Sequence, residues 1–207
     1  MKHGHPSPID RCPWPGIDDP TYARYHDEEW GVPKTADRDL LEKIILEGFQ
    51  AGLSWLTILK KRDNFRAAFD GFDPERLARW GEADVVRALA DPGIVRHRGK
   101  IEATIGNARA WLEIEAAGGF DNFLWQFVDF KPQRNAWKNM GEVPAETPLS
   151  REMSKAMKSA GFKFCGPTIV YAFAQAVGIF NDHLTGCPQH EECAAEGASL
   201  FIGGGLT

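Results

Sequence analysis

At 207 residues and 23.0 kDa the chain is long enough for one compact domain with a sizeable core, because folding at this length buries about 70% of the surface the unfolded chain exposes. A hydrophobic content of 43% with 26% charged residues excludes a disordered or tail-like protein, and a net charge of −5 leaves no overall basic footprint for a polyanion. Four cysteines are too few for a disulfide scaffold, no window reaches the ~18 apolar residues of a membrane span, and Met1–Asp10 lacks the apolar centre of a signal peptide, so a cytoplasmic protein is expected.

Helix signals dominate from the start. Asp19-Pro20 is a cap followed by proline at the first helical position, and Gly31 closes the segment carrying Tyr22, Tyr25, His26 and Trp30. A second helix is predicted to start near Thr35–Asp37, with Leu40, Leu41, Ile44, Ile45 and Phe49 on one stripe and Glu47 off it. Ser54 caps a third helix through Lys61 or beyond, and Asp73-Pro74 repeats the cap-plus-proline signature. Glu82–Leu89 reads as a short helix broken by Asp91-Pro92-Gly93, and a long helix resumes over Lys100–Ala117. Later helices are predicted at Phe120–Phe127, Ser150–Ala160 and Pro167–Val177. Alternating runs of strand length are absent, Lys131–Pro148 reads as a polar loop, and the fold class is all-α.

The turn between the two central helices is the chain's local basic patch. From Arg87 to Arg109 the cations Arg87, Arg96, Arg98, Lys100 and Arg109 outnumber Asp91 and Glu102, a net +3 before His97 is counted. A Pro-Gly turn with Gly93, Arg96, Arg98, Gly99 and Lys100 at a helix start suits phosphate docking, a helix-hairpin-helix reading; an ordinary connector with solvated cations is the alternative. His183 and Cys187 have a spacing suited to two metal ligands, and Cys12 with His26 would complete a tetrahedral set, with His190 and Cys193 as competitors. Trp14, Tyr22, Tyr25, Trp30 and Trp55 crowd the first 55 positions together with Glu47. Flat walls beside a carboxylate suit a planar cationic base, although core packing is the commoner fate of such aromatics.

Four runs then stand in one order: Tyr22–Pro33 (YARYHDEEWGVP), Leu46–Trp55 (LEGFQAGLSW), Gly93–Ile101 (GIVRHRGKI) and Asn181–Cys187 (NDHLTGC). Together they resemble the bacterial 3-methyladenine DNA glycosylase I family over about Arg11–Cys187. The resemblance implies an all-α helix-hairpin-helix DNA glycosylase fold and excision of 3-methyladenine from alkylated double-stranded DNA. It also implies one structural zinc ion joining the chain ends through Cys12, His26, His183 and Cys187. Glu47 is then the catalytic-site carboxylate that recognises the extruded base, Tyr22, Tyr25 and Trp55 shape its pocket with Trp14 nearby, and Gln50–Leu53 pushes into the duplex. A tip of Gly52 and Leu53 beside Gln50 fits an apolar wedge. Lys163–Thr168 takes pocket or backbone contacts.

One departure from the wider glycosylase group stands out. The position two after Gly93 is Val95 rather than glycine, and Asp121 and Asp129 lie in apolar-aromatic surroundings unlike those of a catalytic aspartate. The resemblance accounts for this, because the 3-methyladenine subgroup is thought to work without that residue. Residues 1–187 are expected to form one domain with 188–207 as an acidic tail, and a monomer without protein partners is expected. A non-catalytic DNA-binding module and a zinc hydrolase are the competing classes. Glu47 among aromatics speaks against the first, and a filled four-ligand shell against the second.

Overall fold

A computed structural model describes residues 11–202, so the reading of Met1–Asp10 lies outside the described residues. The described residues divide into two compact units, the first comprising residues 11–34, 125–145 and 174–202 and the second residues 35–124 and 146–173. The first and last described residues thus belong to the first unit.

In chain order the caps act where the sequence puts them. Asp19 accepts from the Thr21 amide at 3.0 Å and starts α1 (Pro20–Glu28). Next comes α2 (Asp37–Gln50), and Ser54 Oγ accepts from the Thr57 amide at the head of α3 (Trp55–Lys60), which breaks before α4 (Arg62–Ala68). Asp73 caps α5 (Pro74–Ala78) through the Arg76 amide. The central pair is α6 (Glu82–Ala90) and α7 (Arg98–Gly118), the latter starting two residues before the predicted Lys100 because the His97 ring accepts from the Lys100 amide. Then follow α8 (Phe120–Trp125), α9 (Pro148–Ser159), which begins ahead of Ser150 under a reciprocal Thr147–Ser150 capping box, and α10 (Pro167–Ala176).

Two expectations are corrected. The segment read as a polar loop holds a two-residue strand, β1 (Gln133–Arg134), paired in parallel with β2 (Phe180–Asn181), Gln133 opposite Phe180. Two-residue ladders are too short to show alternation, which is why the sequence is silent about them. Residues 188–207, read as a tail, contain α11 (Gln189–Ile202). Its buried residues are Gln189, His190, Cys193 and Gly197, the last three spaced i, i+3 and i+7, so the helical face is made of small and polar groups rather than an apolar stripe.

The core of the second unit is an aromatic stack. Phe49 of α2 meets Phe65 of α4 at 4.8 Å, and Phe69 stacks on Trp80 at 5.3 Å, with Leu40, Leu41, Ile44 and Ile45 buried alongside. Burying such side chains contributes about 1.5–3 kcal/mol each and fixes α2 against its neighbours. None of the described helices is long and apolar enough to cross a membrane.

Candidate active site and metal centre

On α2, Glu47 lies off the apolar stripe and is nonetheless 4% exposed. A carboxylate removed from water requires a partner, and Lys43, one helical turn earlier and also buried, puts its Nζ 3.3 Å from Glu47 Oε1. The same Nζ stands 3.6 Å from the centroid of the Trp55 ring. Burial pushes the Glu47 carboxyl above its ordinary pKa, and the Lys43 ammonium opposes that rise. Lys43 was missed by sequence reasoning, although its i, i+4 spacing to Glu47 was a usable signal. Gly48 lets the chain pack closely, since a Cβ there would stand 3.3 Å from Phe164 Cβ, in the segment 163–168.

Between Glu47 and Trp55 the chain makes a tight loop. The Leu53 amide donates to the Gln50 carbonyl at 2.7 Å, Gly52 takes φ +85°, and Leu53 is left 41% exposed at the tip. The base of the loop is fixed from α7: Lys100 Nζ donates to the carbonyls of Phe49 at 2.9 Å and Ala51 at 2.7 Å. These are carbonyls that the end of a helix leaves without intrahelical donors.

This placement corrects the reading of Lys100 as a phosphate-binding residue. Its ammonium points inward because the end of α2 needs donors there, and burial lowers its pKa. The rest of the +3 segment is also largely engaged: Arg87 pairs with Asp84, Arg98 with Glu82 and Glu102, and Arg109 donates to the Ala78 carbonyl. Arg96 is exposed and makes no ion pair among the described residues. The turn itself is braced, with the Gly93 amide on Asp91 Oδ1 and the Gly93 carbonyl accepting from Lys61 and Asn64, while Gly99 stands beside the His97 ring.

The first unit gathers the other predicted residues. Trp14 lies 5.1 Å from Tyr22 and 6.4 Å from Tyr25, and the two tyrosines stack on each other. Trp14 also meets the His26 ring edge-on at 4.8 Å. Behind it Cys12, His26, His183 and Cys187 are all buried, and their ligand atoms lie within 4.8 Å of one another. Cys12 Sγ and Cys187 Sγ each stand 3.6 Å from His183 Nδ1, and Cys187 Sγ is 3.7 Å from His26 Nε2. Tetrahedral zinc with S and N at about 2.3 and 2.0 Å implies S···N edges of roughly 3.5 Å, so the donor set fits.

The outward nitrogens are held as metal-bound imidazoles usually are. His26 Nδ1 bonds Asp27, itself gripped by Arg11, and His183 Nε2 bonds the Trp30 carbonyl. Cys12 and both imidazoles hydrogen-bond the Cys187 sulfur and hold its pKa down, whereas pairing with Cys187 and burial push Cys12 up. Asp182 positions His183 by accepting from Asn135, Trp137 and Gln175, a role sequence reasoning missed. His190 is committed to Arg134 and to the Asn135 carbonyl, and burial drives the Cys193 thiol up to about 12, so neither competes for the cluster.

The methyladenine glycosylase family model matches residues 14–190. The chain is 53% identical over 180 residues to DNA-3-methyladenine glycosylase 1 of Escherichia coli, covering 86% of this chain and 96% of the relative. A crystal structure of 3-methyladenine DNA glycosylase I superposes with a TM-score of 0.84 at 55% identity, over 86% of this chain and 98% of that one. A Staphylococcus aureus structure that addresses 3-methyladenine recognition superposes at 0.82 with 40% identity, over 84% and 94%.

The Lys100 placement yields a stability test. Lys100→Met keeps the aliphatic stem and removes two charge-assisted hydrogen bonds, so chemical denaturation should show a loss of about 1–3 kcal/mol. An unchanged midpoint would mean that the α2 carbonyls do not depend on the ammonium.

Proposed function

The chain belongs to the methyladenine glycosylase family, and we propose that it hydrolyses the N-glycosidic bond of 3-methyladenine extruded from alkylated double-stranded DNA, freeing the base and leaving an abasic site. The observation that supports this reading is that the buried Glu47 carboxylate and the face of Trp55 meet on one cation, the Lys43 ammonium. Methylation at N3 gives adenine a positive charge, which weakens the glycosidic bond and lets the base depart neutral. No protein acid has to protonate the leaving group, in keeping with the departure from the aspartate-bearing pattern. Water then adds to the sugar carbon.

What the protein supplies is extrusion, stacking and charge complementarity. Glu47 accepts a hydrogen bond from the adenine amino edge. Guanine presents a carbonyl oxygen there and is repelled, so 7-methylguanine is spared. Trp55 offers its ring to the cation. Tyr22 and Tyr25 are assigned to the base by the resemblance, with Trp14 packed on Tyr22. Gln50, Gly52 and Leu53 form the wedge that enters the duplex, supported by the exposure of Leu53 and by the loop's anchorage on Lys100. Gly93, Arg96, Arg98 and Gly99 face phosphates in a helix-hairpin-helix motif formed by α6, its turn and α7. There Arg98 exchanges Glu82 and Glu102 for phosphate, and Arg96 is already exposed.

Cys12, His26, His183 and Cys187 would hold one zinc ion, whose part is to tie the two chain ends rather than to activate water, since four protein ligands close its shell. Cys12→Ser should lose the metal and lower the melting temperature, with excision per folded molecule little changed. Metal analysis that finds no zinc in the wild type, or the same zinc in the variant, would contradict this assignment.

The reading is tested at Glu47. Glu47→Gln keeps the shape and removes the charge, so single-turnover excision of 3-methyladenine should fall about 10- to 150-fold, the worth of one charge-assisted hydrogen bond of roughly 1.5–3 kcal/mol. Only the ionised carboxylate is competent, and burial raises its pKa. Wild-type excision should therefore decline as pH falls, beginning above the range of an ordinary carboxylate, and the Gln variant should lack that limb. Wild-type rates in Glu47→Gln would remove Glu47 from recognition.

A further inference from the structure

Phe164 combines a strained backbone with an exposed ring. Its φ of +52° is a left-handed conformation in which the Cβ of a bulky residue crowds the backbone, and its side chain is left 39% exposed. Phe72 and Phe130 adopt the same conformation, but the first is buried, so that packing offsets the cost, and the second is partly covered. Nor does the ring of Phe164 hold its own backbone in place. Asn107, buried on α7, donates to the Lys163 carbonyl at 3.1 Å and accepts from the Lys163 amide at 2.8 Å, and the buried Ser154 hydroxyl of α9 donates to the Cys165 carbonyl at 2.6 Å. The chain is thus fixed on both sides of Phe164 by other elements, and the strain they impose presents an aromatic ring at the surface. Strain of this kind concentrates where a side chain is needed for binding.

The position of the ring indicates the partner. It bridges α2 and the hairpin: a Cβ on Gly48 would stand 3.3 Å from Phe164 Cβ, a Cβ on Gly99 would stand 3.9 Å from Phe164 Cζ, and the ring lies 6.1 Å from that of His97 and 6.0 Å from Lys100 Nζ. The same Nζ bonds the Ala51 carbonyl, two residues before the exposed Leu53. We propose that Phe164 is a second apolar contact on duplex DNA, packing against the deoxyribose edges of the minor groove beside the base step that Leu53 enters. This rests on the reading that Gln50–Leu53 and the hairpin both meet the duplex, since DNA spanning those two elements passes over the ring that bridges them. Sugar edges recur at every nucleotide, so the contact steadies the duplex against the wedge whatever the sequence. It neutralises no phosphate, and its loss therefore weakens binding without changing the salt dependence.

Fluorescence anisotropy with a short duplex carrying a tetrahydrofuran abasic site, over a range of salt concentrations, tests this in the wild type, Phe164→Gly, Phe164→Asn, Phe164→Leu and Leu53→Ala. Gly and Asn are at ease at positive φ, so both variants should keep the loop and, by calorimetry, bind free 3-methyladenine as the wild type does. Their duplex affinity should fall roughly tenfold at every salt concentration, the size of one lost aromatic contact with nucleic acid, along a line parallel to that of the wild type. Phe164→Leu, which keeps an apolar side chain, should recover most of that loss. Wild-type duplex affinity in the Gly and Asn variants would overturn the proposal. So would a changed salt slope, which would mean that the ring only props phosphate contacts of the hairpin, or weaker binding of the free base, which would make it a wall of the pocket. A Leu53→Ala variant that binds the duplex like the wild type would instead overturn the wedge on which the proposal rests.

Discussion

A carboxylate withdrawn from water has to be matched by positive charge, and the second unit is organised around that requirement at Glu47. The i, i+4 geometry of α2 brings Lys43 to it, and the tight turn from Gln50 to Ser54 starts α3 with Trp55 under the same ammonium. That turn holds its course because Lys100 reaches from α7 to the last carbonyls of α2, while Gly48 leaves room for the segment around Phe164. Two buried lysines thus do different things. Lys100 satisfies backbone oxygens, whereas Lys43 neutralises a buried carboxylate.

The first unit has a different organising constraint. Cys12 comes from one end of the chain and His183 and Cys187 from near the other, so an ion shared among them would tie those two segments together directly. The hydrogen bonds behind the ligands are as informative as the ligands. Asp27 and the Trp30 carbonyl orient the two imidazoles, and Asp182 anchors the strand end that carries His183. Trp14 packs against the His26 ring, so the Cys/His cluster and the aromatic group of Tyr22 and Tyr25 share a wall.

Features encoded by local chemistry were legible in the sequence, and those that depend on tertiary context were not. Asp19-Pro20, Ser54 and Asp73-Pro74 announce helix starts because capping is decided within four residues. Glu47 stood out because it broke an apolar stripe, but nothing local says whether such a residue faces water or protein. Lys100 was read as a surface cation for the same reason: its burial depends on where α2 ends, fifty residues away in the chain. The β1–β2 pair is too short for periodicity, and α11 packs through His190, Cys193 and Gly197, residues that no hydrophobic pattern marks. The types and spacing of His183 and Cys187 suggested a metal, whereas separating them from His190 and Cys193 required the partners of each side chain.

The central claim is that a cationic base takes the place beside Glu47 and Trp55, and a crystal structure of the wild-type chain with 3,9-dimethyladeninium addresses it most directly. The purine ring should lie over Trp55, with its amino group within hydrogen-bond distance of the Glu47 carboxylate and the Lys43 ammonium swung away from both. A ligand bound elsewhere, with the Lys43–Glu47 pair intact over Trp55, would contradict it.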